Sequence, residues 1–139
     1  MTEYLFVYGT LMSTAGHPMG QRLAREARRV SAASIAGRLY DLGKWPGLVD
    51  SDSIRDRVHG EVYQIANPAS FRWLDAYEGI LEAGATPSEY ARVVRRIRLE
   101  NGGEIAAWVY LYQWDIVSAR PVPGGRWQTG PVEAVARQH

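Results

Sequence analysis

Two short stretches of the chain carry residue types that could do chemistry. In the first, Glu3-Tyr4-Leu5-Phe6-Val7-Tyr8 runs out on Gly9-Thr10-Leu11-Met12. An apolar run rich in β-branched and aromatic residues suits a central strand. Gly9 lacks a Cβ and can take positive φ, so the N–H groups that follow at Thr10 and Leu11 can turn the same way. They would form a small anion-binding hollow at the strand's exit. A strand followed by an ordinary tight turn fits the same residues equally well. In the second stretch, Leu74-Asp75-Ala76-Tyr77-Glu78-Gly79, a carboxylate closes an apolar helical segment. The helix dipole disfavours negative charge at that end, and Trp73, Leu74, Tyr77, Ile80 and Leu81 surround it in sequence. Turned inward, Glu78 would be desolvated as well, its pKa would rise, and it would serve as a general acid/base near neutrality. Turned outward, it is a solvated helix-end residue like most glutamates.

The rest of the chain must supply the elements that hold these stretches. Gly16 to Ala27 predicts a short helix burying Met19, Leu23 and Ala27, with arginines opposite. Val30 to Leu42 predicts a long strand bent at Gly37. Asp41 to Val49 reads as a loop punctuated by Gly and Pro, whose Trp45 either plugs the core from outside or walls a pocket. Arg57 to Ile65 alternates with period two, as a strand does. Asn67 is placed to cap a helix with Pro68 at its first position; Phe71, Leu74 and Asp75 follow at helical spacing, and Gly79 supplies the stop. Tyr90 to Glu100 and Ile105 to Tyr112 flank Asn101-Gly102, a strong hairpin turn. The returning strand is apolar on both faces and therefore interior. From Arg120 onward, Pro121, Pro123, Gly124, Gly125 and Trp127 predict an ordered loop wrapping the sheet, with a frayed polar end. Five strands and two short helices give an α+β fold in one domain over residues 1–139. The expected architecture is a small mixed, mostly antiparallel curved sheet or barrel with two short flanking helices.

Composition narrows the function classes. With 46% hydrophobic and 22% charged residues the chain has the make-up of a soluble globular domain. It has no cysteine, which excludes disulfides and thiolate metal sites. His17, His59 and His139 are too scattered in sequence for a metal triad and read as one loop, one strand and one tail residue. Asp50-Ser51-Asp52-Ser53 lacks the glycine and the terminal glutamate of a calcium loop and reads as a solvated turn. Ser13 and Ser88 lack the context of a nucleophile elbow. A net charge of +1 creates no global field for nucleic acid or anionic lipid. Arg92, Arg95, Arg96 and Arg98 beside Trp108, Tyr110 and Tyr112 could form an RNA-binding strand, but these arginines fall on both faces, and no nucleic-acid partner is expected. The N-terminal apolar run is too short to span a bilayer and follows no basic residues, so no membrane segment or signal peptide is read and a cytoplasmic location is expected.

Taken together and in order, several segments resemble one family. They are Tyr8-Gly9-Thr10-Leu11, Gly37-Arg38-Leu39-Tyr40-Asp41-Leu42-Gly43 with Pro46-Gly47, Val58-His59-Gly60-Glu61-Val62-Tyr63, Leu74 to Gly79, Tyr90-Ala91-Arg92, and Ala107-Trp108-Val109-Tyr110. Over nearly the whole chain they resemble the gamma-glutamyl cyclotransferase-like superfamily, closest to its gamma-glutamylamine cyclotransferase branch. The resemblance implies intramolecular aminolysis of a small γ-glutamyl compound, releasing 5-oxoproline and a free amine without metal or cofactor. It implies that the backbone of Gly9, Thr10 and Leu11 holds the glutamyl end by its α-carboxylate, and that Glu78 is the catalytic acid/base. Tyr90 and Tyr110 align with family tyrosines near the pocket, as substrate contacts or as half-buried strand residues whose hydroxyls find partners. Tyr8 joins the substrate-binding group, packed beneath the loop. Arg92 and Arg126 suggest an acidic or carboxylate-bearing leaving group, and a monomer or weak homodimer is expected. A non-catalytic protein that binds a γ-glutamyl or other carboxylate metabolite in the same pocket is the alternative.

Overall fold

In chain order the elements are β1 (Glu3–Val7), α1 (Pro18–Glu26), β2 (Ala27–Ala36), β3 (Arg38–Asp41), β4 (Pro46–Val49), β5 (Arg57–Ile65), α2 (Ser70–Tyr77), β6 (Tyr90–Leu99), β7 (Glu104–Tyr112) and β8 (Arg120–Pro121). Short 3-10 turns occupy Ser13–Ala15 and Pro123–Gly125. This computed structural model describes residues 3–43, 45–53, 55–78 and 89–127. Five strands close into a barrel in the order β1-β5-β2-β6-β7. Its pairings are antiparallel except for the seam, where β1 meets β7 in parallel at Leu5 and Trp108. Closure removes the exposed edges that an open sheet of this size would carry. The fold is the α+β arrangement expected, mostly antiparallel with two flanking helices.

Strand β1 explains its own sequence. Phe6 joins Val58, Val62, Ile35, Ile97 and Val109 of the other barrel strands in one cluster, which fills the barrel interior. Leu5 and Val7 join Leu23 of α1 and Phe71 and Leu74 of α2 in a second cluster between barrel and helices. A strand buried on both faces needs an unbroken apolar run rather than an alternating one. The helices are also tied to each other. Ser70 Oγ and Trp73 Nε1 of α2 each donate to Glu26 Oε1 at 2.8 Å, at the end of α1.

The sequence-based expectation fails in four places. The strand expected from Val30 to Leu42 is two strands in two sheets: β2 stays in the barrel, and after Gly37 the chain passes into β3 of a small sheet ordered β4-β3-β8. At Gly37 a Cβ would stand 2.7 Å from Leu48 Cδ1 and 2.8 Å from the Val49 carbonyl oxygen, so only glycine lets the chain cross there. The stretch expected as a loop from Asp41 to Val49 contains β4, paired with β3 from Arg38 opposite Val49 to Asp41 opposite Pro46. The tail expected as loop contributes β8, also paired with β3. Helix α2 starts later than Asn67 because a tight turn intervenes. The Asn67 carbonyl accepts from Ser70 N–H at 2.9 Å and its side chain accepts from Ala69 N–H at 3.0 Å. Gly79, the expected stop, lies outside the described residues. No helix among the described residues is long and apolar enough to cross a membrane.

Candidate active site

Helix α2 delivers Glu78 to the exit of β1. The Phe71 and Leu74 side chains bury against Leu5, Val7 and Leu11, which fixes where the helix can end. Glu78 is its C-terminal cap, the backbone N–H donating to the Leu74 carbonyl at 3.0 Å. One residue earlier, the Tyr77 hydroxyl shares a 2.5 Å hydrogen bond with Thr10 Oγ1. The two stretches that carry the chemistry are thus joined side chain to side chain. A cavity of about 480 Å³ is lined by both, with Gly9, Thr10 and Leu11 from the loop and Tyr77 and Glu78 from the helix end.

The loop after β1 is held at three points. Met12 N–H donates to the Gly9 carbonyl at 3.1 Å, closing the turn. Gly9 does not adopt the left-handed φ expected of it; among the described glycines that conformation belongs to Gly16, Gly43, Gly102, Gly124 and Gly125. Gly9 is needed instead for clearance, since a Cβ there would lie 2.8 Å from Pro46 Cγ and 3.0 Å from its Cδ. Beyond the turn, Ser13 donates its N–H and its hydroxyl to the Glu61 carboxylate at 2.7 and 2.6 Å. Glu61 is 5% exposed, also accepts from Arg29 Nε at 3.1 Å, and stands opposite Val7 in the β1–β5 register. Both ends of the loop are therefore anchored on one residue of β5.

Three tyrosines complete the cavity, each with its hydroxyl proton given to a fixed acceptor. Tyr8 donates to the Tyr110 carbonyl at 2.6 Å, Tyr90 to the Pro46 carbonyl at 2.7 Å, and Tyr110 to Asp75 Oδ1 at 2.7 Å. Burial pushes all three phenols well above their ordinary range, so they stay protonated. Tyr8 lies within the core as well as at the cavity wall. For Glu78, burial is the first cause of a carboxyl pushed up to about 8, and the neighbouring carboxylates Glu89 and Asp75 are the next. Like charges thus add to desolvation in raising it.

Several contributors were not read from the sequence. His17, expected to be a plain loop residue, is the N-cap of α1, its Nδ1 accepting from Met19 N–H at 3.1 Å. Its ring lies 5.7 Å from the Tyr77 ring and lines the cavity. The signal was present in Pro18, which at a first helical position marks the residue before it as the cap. Pro46 and Glu89 also line the cavity, as does Trp45, 46% exposed, which takes the second of the two places expected of it, the wall of a pocket. Arg92, expected to meet an acidic leaving group, is not at the cavity. Its Nε donates to Asp75 Oδ1 at 2.8 Å, and its guanidinium sits 4.2 Å from the Phe71 ring centre and 4.5 Å from that of Trp108. Arg126 likewise is not among the lining residues. The basic strand is also paired outward, Arg95 with Asp50 at 2.8 Å and Arg96 with Glu104 at 3.7 Å.

Comparison with known proteins gives a consistent picture. A family model described as gamma-glutamyl cyclotransferase, AIG2-like, matches residues 5–129. A Vibrio cholerae serotype O1 protein named "Putative gamma-glutamylcyclotransferase" is 34% identical over 114 residues, 81% of this chain and 84% of that protein. Among solved structures, YkqA from Bacillus subtilis superposes with a TM-score of 0.70 at 21% identity over 99% of this chain, which spans 44% of the YkqA chain. An AIG2-like protein from Mus musculus gives a TM-score of 0.62 at 22% identity, covering 88% of this chain and 96% of the mouse one. At those identities the two structures speak for the fold.

Proposed function

Because the chain belongs to the gamma-glutamyl cyclotransferase, AIG2-like family, we propose that it converts a γ-glutamyl amine or peptide into 5-oxoproline and a free amine, with Glu78 as the general acid/base. One observation carries the reading: Glu78 and the loop Gly9–Leu11 line the same cavity, although they lie far apart in the sequence.

The reaction asks little of a protein beyond folding its substrate and moving two protons in turn from the attacking nitrogen to the departing one. The loop backbone takes the α-carboxylate. Ionised Glu78 removes a proton from the α-ammonium, and the freed nitrogen attacks the γ-carbonyl carbon to form the ring C–N bond. The exocyclic C–N bond then breaks as the proton held by Glu78 passes to the departing nitrogen, and the ring nitrogen, which still carries one proton more than the lactam keeps, gives that proton back to Glu78, from which it passes to the released amine. Substrate and products balance without water. A carboxyl pushed up to about 8 lies nearer to an α-ammonium than an ordinary carboxyl does, which makes taking that proton less uphill. Holding amine and carbonyl within one cavity converts the attack into an oriented intramolecular step. Incubation of the purified protein with a panel of γ-glutamyl amines and peptides, followed by mass spectrometry, should show 5-oxoproline. Thermal stabilisation by the same compounds with no product would identify a binding protein instead.

A further inference from the structure

The part of the cavity that must receive the released amine has a definite chemical character. The hydroxyl protons of Tyr90 and Tyr110 are already donated to Pro46 and Asp75, so their oxygens can offer a ligand only lone pairs. The cavity contains a second carboxylate, Glu89, besides Glu78, and among the described residues that line it there is no arginine or lysine. Residues 79–88, the segment joining Glu78 to Glu89, contain no basic residue in sequence. The arginine nearest in sequence, Arg92, is held by Asp75 between two aromatic rings.

Glu89 is also well placed. Its carbonyl accepts from Gln113 N–H at 2.8 Å, which extends the β6–β7 ladder by one step and fixes its backbone. The next residue, Tyr90, is bonded to Pro46, and the residue before Pro46 is Trp45. Glu89 and Trp45 both line the cavity. Together they offer a carboxylate and a half-exposed indole, groups that attract an ammonium or guanidinium and include no cation to pair with a carboxylate.

We propose that the site selects γ-glutamyl compounds whose released amine carries a second positive charge and no carboxylate, such as a diamine, with Glu89 as the specificity-determining residue and Trp45 as the aromatic wall. This rests on the cyclotransferase reading of the cavity and assigns its amine half. The chemistry is unchanged: the exocyclic C–N bond breaks as before, and the distal cation takes no part in it.

The test compares three substrates that differ only beyond the scissile bond: γ-glutamyl-1,5-diaminopentane, γ-glutamylpentylamine and γ-glutamylglutamate. The expected order of kcat/KM is cationic above neutral above acidic, with at least tenfold between the first two. Because Glu89 also helps raise the Glu78 carboxyl, Glu89→Gln should shift the pH–rate profile of all three compounds alike, and beyond that common change it should lower the ratio of kcat/KM for the cationic compound over the neutral one about tenfold, through KM. Trp45→Leu should reduce the same preference. Equal rates for cationic and neutral compounds, preference for the acidic one, or an equal loss on all three in Glu89→Gln would overturn the assignment while leaving the cyclotransferase intact. Absence of 5-oxoproline from all three, and from a wider γ-glutamyl panel, would overturn both.

Discussion

Ser13 hangs on Glu61 by two hydrogen bonds, one from its N–H at 2.7 Å and one from its hydroxyl at 2.6 Å, while the Glu61 backbone lies opposite Val7. A single buried acid thus fixes where β1 ends and where the following loop comes to rest. Charge-assisted bonds to a buried carboxylate are costly to break, because the partner left behind stays desolvated. Ser13→Ala should destabilise the protein by about 1 kcal/mol and Glu61→Gln by about 2 kcal/mol in urea unfolding. Since the loop is proposed to hold the substrate's carboxylate, Glu61→Gln should also raise KM several-fold with a smaller change in kcat. An unchanged KM would separate the anchor from substrate binding.

Gly9 and Pro46 form a second fixed pair. An alanine Cβ at position 9 would stand 2.8 Å from a ring carbon whose own proline carbonyl holds Tyr90. Neither side can yield freely, so Gly9→Ala should cost about 1–3 kcal/mol as an overpacked contact. It should also lower kcat/KM at least tenfold by displacing the loop. Pro46→Ala in the same chain removes the obstruction and should recover part of both losses, a coupling that a double-mutant cycle would read directly.

What the sequence revealed depended on the range of the forces involved. Strand β5 was legible to the residue because alternation of period two is written along it, and the hairpin at Asn101-Gly102 because turn chemistry is local. The split at Gly37 was not legible. It is imposed by Leu48 and Val49 crossing close by, and nothing in the residues around position 37 announces them. Glu78 could be singled out because the helix end and its apolar neighbours are adjacent in sequence. Glu89 and Asp75, which add to its shift, act through space, as does the pairing that removes Arg92 from the cavity.

The Arg92 arrangement makes its own prediction. Its guanidinium is held between the Phe71 and Trp108 rings and donates to Asp75, which also accepts from the Tyr110 hydroxyl. Lysine cannot reproduce a planar cation that both stacks and forks. Arg92→Lys should therefore destabilise by about 1–2 kcal/mol, and Arg92→Met should do at least as much by leaving Asp75 short of a partner. Neither should change the ranking of acidic against cationic substrates, because Arg92 does not line the cavity. A selective gain or loss on γ-glutamylglutamate would show that Arg92 reaches the substrate after all.

Glu78 should leave its mark on both activity and stability as pH changes. Its carboxyl sits at about 8 in the folded protein against an ordinary 4.5. Below about 4.5 it is protonated in both folded and unfolded chains, and the raised value has no effect on stability. Between there and about 8 the folded protein retains a proton that the unfolded chain has released, so rising pH favours unfolding, by at most about 1.4 kcal/mol per pH unit. Above that range the penalty is constant. Glu78→Gln removes it: the variant should match the parent near pH 4, become progressively more stable up to about pH 8, and hold that margin beyond. The same residue should give kcat/KM a rising limb with an apparent pKa of about 8, since the ionised form accepts the ammonium proton. In Glu78→Gln, 5-oxoproline release should fall at least a hundredfold. Urea midpoints across pH 4–9 and a pH–rate profile check both limbs. A rising limb near 4.5 with no stability gain in the variant would place the Glu78 carboxylate in open water and remove it from the reaction.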